Sequence, residues 1–78
     1  MATKNPRNDK IITLFGKNVR KYRNKKGLTM NELAGICEVE YGTISTIERG
    51  LVNCTISTAY AISIALEISI NLLFDIHE

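Results

Sequence analysis

Two short amphipathic segments follow one another with so little chain between them that only a tight turn can join them. The first opens on Thr29-Met30-Asn31-Glu32, a capping box with a hydroxyl at the N-cap and a carboxylate three residues on. Leu33, Ala34, Ile36 and Cys37 give this segment an apolar side at helical spacing. Glu38-Val39-Glu40 interrupts the pattern, and Ile44 and Ile47 restart it in a helix over residues 41–49 that stops at Gly50. Such a joint constrains its own packing. Ala34 is small enough to let the helices cross closely, Val39 plugs the turn into the core, and Ile44 and Ile47 anchor the second helix from behind. Tyr41, Gly42, Ser45 and Thr46 are left facing outward.

The rest of the chain supplies helices to pack around that joint. Asn8 or Asp9 can cap a first helix whose stripe is Ile11, Ile12, Phe15, Val19 and Tyr22. Lys25 and Lys26 suit its negative end, and Gly27 its left-handed stop. Thr55 can cap a fourth helix with Ile56, Ala59, Ile62, Ser63 and Leu66 inward; after a break at Glu67-Ile68, Ser69 can cap a last short one carrying Leu72, Leu73, Phe74 and Ile76. The expected fold is all-α, a compact bundle of about five short helices. Residues 1–9 read as a flexible arm and 10–78 as one domain, since 78 residues leave no room for a second. With 6% aromatic residues and no Trp, the core is expected to be aliphatic.

Charge is distributed unevenly. Of 10 basic residues all but Arg49 lie at or before Lys26, and of 8 acidic residues all but Asp9 lie after it. Residues 27–78 therefore carry 1 base against 7 acids, a balance of −6. Any nucleic-acid footprint must lean on the N-terminal third and on helix N-termini. Cys37 and Cys54, with neither a CxxC pair nor a His cluster, read as small hydrophobes, and no metal site or cofactor is expected. The apolar run 59–74 is broken by Ser63, Glu67, Ser69 and Asn71 and is too short for a membrane span. No signal peptide is apparent, so a cytoplasmic, nucleoid-associated protein is expected. His77 is the sole histidine, and with no nucleophile–base pair or phosphate-cradling loop an enzyme is not expected, nor is a small-molecule ligand evident.

Two short helices joined by a turn of three or four residues are the geometry in which a second helix enters the DNA major groove. Over residues 15–74 the chain resembles the Cro/C1-type (XRE-like) helix-turn-helix family of phage repressors and small bacterial regulators. The resemblance rests on the joint spacing of Arg23, Gly27-Leu28-Thr29, Glu32-Leu33-Ala34, Val39, Thr43-Ile44-Ser45-Thr46-Ile47-Glu48-Arg49-Gly50, Ala65-Leu66 and Leu73-Phe74. It implies a lambda-repressor-like domain that binds double-stranded DNA. It further implies a partly buried ion pair between Arg23 and Glu48, base reading by Tyr41, Gly42 and Thr46 with Ser45 close by, and phosphate contacts at Thr43, Arg49, Gly50 and Leu51. Met30 stands where many relatives have a phosphate-bonding Gln, so its backbone N–H is left to serve. Glu38 stands where Gly is usual, and Glu40 replaces the usual hydroxyl cap, placing a carboxylate where it can accept from cytosine or repel phosphate.

Helix four carries no charge from residue 55 to residue 66. A helix apolar nearly all round is usually buried on both sides, so Tyr60, Ile64, Ile68, Ile70 and Phe74 are expected to form a two-fold homodimer surface. The expected function is a homodimeric transcriptional regulator on an inverted repeat; phage-type repressor, restriction–modification controller and antitoxin all fit, and the short chain favours the controller. The alternative is a protein-interaction module whose helix-turn-helix no longer reads DNA, which the acidic 27–78 segment and Glu40 support.

Overall fold

The computed structural model describes residues 6–76. Helix α1 spans Asp9–Lys26, one residue earlier than the expected domain boundary. The Asn8 side chain accepts from the Ile11 amide, Asp9 occupies the positive first turn, and Arg23, Lys25 and Lys26 occupy the negative last one. Gly27 ends the helix at φ 77°. Residues 1–5 of the expected arm, and His77, lie outside the described residues.

Helices α2 (Met30–Cys37), α3 (Tyr41–Glu48) and α4 (Ile56–Leu66) follow, and a 3-10 helix over Ile70–Phe74 closes the described chain. The fold is all-helical, with four α-helices and a 3-10 helix where a fifth short α-helix was expected. Asn18, buried on α1, accounts for the way this last segment is held: its Nδ2 donates to the carbonyls of Leu73 at 3.0 Å and Asp75 at 2.9 Å. Those two bonds satisfy carbonyls that so short a helix leaves without partners.

α1 packs against α3 and the 3-10 helix, and α2 bridges α3 and α4. Each element sends at least one side chain into a common centre from which water is excluded: Val19, Leu33, Ile44, Ile47, Ile62 and Leu73. Burying each is worth about 1.5–3 kcal/mol. Helices this short do not persist alone, so these contacts rather than intrinsic propensity sustain α2 and α3. One expectation fails. Ile56 is 85% exposed, because the first residue after the Thr55 cap falls on the outer stripe Ile56–Tyr60–Ile64 and not on the Ala59–Ile62–Ser63–Leu66 side.

Candidate nucleic-acid interface

The turn between α2 and α3 is three residues long. Glu38 adopts the left-handed conformation (φ 59°, ψ 42°), and the Val39 amide donates to the Ala34 carbonyl at 3.0 Å, closing the end of α2. Val39 is half-buried and packs on the core. Glu40 then turns the chain into α3 from an extended conformation, but its side chain makes no cap hydrogen bond. The first amides of α3 are thus left without a side-chain acceptor.

Ile44 and Ile47 pin α3 inward, which fixes what its other face presents. Tyr41 and Gly42 are exposed, and Thr43, Ser45 and Thr46 are half-buried. The Thr46 hydroxyl donates to the Gly42 carbonyl at 2.8 Å, so its proton is used within the helix. Glu40 is exposed beside Tyr41, and Arg49 is exposed at the C-cap, one residue after the end of α3. Met30 is turned partly into the protein against the core, and the start of α2 presents its capping box: Glu32 N–H to Thr29 Oγ1 at 3.0 Å and Thr29 N–H to Glu32 Oε1 at 2.8 Å.

Three contacts with α1 hold the far end of α3. The backbone of Ile47 and Glu48 lies so close to Gly16 that no Cβ fits there. Gly50, at φ 73°, sits against Thr13. Arg23 donates through Nε to Glu48 Oε2 at 2.6 Å and through Nη2 to Oε1 at 3.0 Å, and its Nη1 reaches the Leu28 carbonyl at 2.7 Å. The hydrogen bond to Glu48 raises the Arg23 pKa above the ordinary arginine value, against a burial that lowers it.

On α4 Tyr60 and Ile64 are exposed, with Ile56 in line, while Ile68 and Ile70 are half-buried against the core. Phe74 is exposed in part, its ring centroid 5.1 Å from that of Phe15. Cys37 and Cys54 are unpaired and half-buried, and burial pushes both thiols above the ordinary cysteine range. Among the described residues no group of histidines, cysteines and carboxylates could hold a metal, and no helix is long and apolar enough to cross a membrane. Sequence reasoning passed over Gly16 and Asn18, for which a glycine in mid-helix and an asparagine inside an apolar stripe were the available signals.

Residues 19–73 match the family model described as Helix-turn-helix. No curated protein matches the chain. Among solved structures, the restriction-modification controller protein C.AhdI from Aeromonas hydrophila is 28% identical with a TM-score of 0.78, over 81% of this chain and 96% of that one. The N-terminal DNA binding domain of SinR from Bacillus subtilis is 34% identical with a TM-score of 0.78, over 85% and 99%. A crystal structure of SinR, the master regulator for biofilm formation, in complex with DNA gives 34% identity and a TM-score of 0.74, over 78% and 98%. The family read from the spacing of the sequence is the one these matches show. The chain belongs to the helix-turn-helix (HTH_3) family of transcriptional regulators.

Proposed function

We propose that this chain is a sequence-specific, DNA-binding transcriptional regulator that sets α3 in the major groove and binds an inverted repeat as a homodimer. The observation that carries the reading is the two-sided α3, with Ile44 and Ile47 buried behind and Tyr41, Gly42, Thr43, Ser45 and Thr46 along the outer face. In that pose Tyr41 and the Thr46 methyl meet thymine methyls, and Glu40 accepts from a cytosine amino group. Arg49 and the open amides at the starts of α2 and α3 take phosphates. A face so short of long polar side chains favours methyl and shape readout over arginine–guanine pairing.

The charge-free helix α4, with Tyr60 and Ile64 exposed, is the proposed two-fold surface, placing two readers about one helical turn apart. Such a regulator works on the nucleoid. The test is binding to the promoter upstream of its own gene across a salt series. A protected site with two-fold symmetry, and affinity that falls steeply with salt, are expected. No binding at low salt, together with capture of a partner protein, would instead favour the protein-interaction module.

A further inference from the structure

Thr13, Gly16, Arg20 and Arg23 recur at three- and four-residue spacing and share one face of α1. Three of the four meet the C-terminal end of α3: Thr13 under Gly50, Gly16 against the Ile47 and Glu48 backbone, and Arg23 on the Glu48 carboxylate. The fourth, Arg20, lies between Gly16 and Arg23 along that face and is exposed. Its guanidinium has no ion-pair partner among the described residues. Lys17, four residues after Thr13 and three before Arg20, is exposed beside it and likewise unpaired. Arg49 is exposed at the end of α3 itself. Among the described residues, three cations without an ion-pair partner thus stand on α1 and at the end of α3, next in sequence or helical position to the residues through which the two helices meet. The acid at that contact, Glu48, is neutralised by Arg23, and Asp9, further along α1, is paired with Arg7 at 2.9 Å.

Arg49 is the single base after Lys26, so attraction to a polyanion has to come largely from α1. Of the exposed α1 cations inside the stretch from Thr13 to Arg23 that contacts the end of α3, Arg20 and Lys17 are those three or four positions from a contacting residue. We propose that Arg20 and Lys17, together with Arg49, form a phosphate clamp that grips the DNA backbone at the edge of the groove occupied by α3. The clamp rests on the DNA-binding reading above, which already gives Arg49 a phosphate, and adds Arg20 and Lys17, which neither the sequence pattern nor that reading assigned. Arginine suits the central position because its planar fork can engage two phosphate oxygens at once.

The probe is a fluorescein-labelled 20-bp duplex of scrambled sequence, titrated by anisotropy across a potassium chloride series, so that only backbone contacts are read. Arg20→Gln is expected to weaken binding roughly 3- to 10-fold and to lower the slope of log affinity against log salt by about 0.9. Arg20→Gln with Lys17→Gln should lower it by about twice that, and Arg20→Lys should largely restore it. Lys25→Gln, which removes the same charge beside the Tyr22 ring, serves as the control. Thermal melts of the Arg20 and Lys17 variants should match the wild type, because these substitutions remove no described contact. Slopes equal to the Lys25→Gln control overturn the clamp and leave the DNA-binding reading standing. Wild-type protein that binds no duplex even at low salt overturns both.

Discussion

Arg23 and Glu48, 25 residues apart in sequence, meet fork to fork where α1 crosses the last turn of α3, with side chains only 11% and 5% exposed. Burial at this depth makes the pair costly to break from one side, because the remaining charge keeps its desolvation penalty and loses its partner. Arg23→Ala should cost about 3–5 kcal/mol in urea melts. A loss under about 1 kcal/mol would mean that the charges are solvated.

Gly16 is required by the close approach of the α3 backbone. Gly16→Ala should lose about 2 kcal/mol, the overpacking cost exceeding the gain in helix propensity. Gly35→Ala, where a methyl meets open space, should gain up to about 1 kcal/mol. Chemical denaturation of the two variants checks the contrast, and equal shifts would contradict the geometry.

Glu38 holds φ 59° to close the end of α2, and its exposed side chain makes no described contact that offsets the strain. Glu38→Gly should raise stability by about 1 kcal/mol. A thermal melt unchanged or lowered would refute the strain.

Lys26 Nζ lies 2.6 Å from Glu67 Oε1 at the surface, and this hydrogen bond lowers the Glu67 pKa below the ordinary glutamate value. A depressed carboxylate contributes stability above its unfolded pKa and loses it as pH falls through the folded one. Carboxyl chemical shifts should therefore place the Glu67 midpoint low, and Lys26→Gln should return it upward. A midpoint that does not move on Lys26→Gln would show the pair to be unformed in solution.

Tyr60 and Ile64 offer apolar area that a monomer leaves wet. At micromolar concentration the wild type should sediment as a dimer, and Ile64→Glu should shift it to monomer with its helical circular dichroism intact. A wild type that is already monomeric would exclude this surface as the assembly face.

Much of the architecture was legible because the signals were local. The Thr29–Glu32 capping box, the stop at Gly27 and the spacing from Ile44 to Ile47 each report on a few neighbouring residues. What escaped depended on distant chain. Asn18 is buried only because residues 73–75 return to it, and Gly16 matters only because α3 crosses it. Ile56 was assigned inward because an apolar residue after a cap reads the same on either face until packing chooses. At the interface, spacing turned Tyr41 and Thr46 outward and the family resemblance added Arg49, but the pattern did not foretell that Thr46, half-buried, would spend its hydroxyl proton on its own helix. Nor did it foretell that Met30 would turn against the core.

The contacts of Gly16, Thr13 and Arg23 with α3 have a consequence for recognition. An eight-residue helix has almost no independent existence in water, yet α3 is fixed at its far end by α1 and from beneath by Ile44 and Ile47. The conformational entropy of ordering it is met during folding, before any ligand arrives. Binding then need immobilise only a few short side chains, and a face without long polar side chains loses little of its small gross energy to reorganisation.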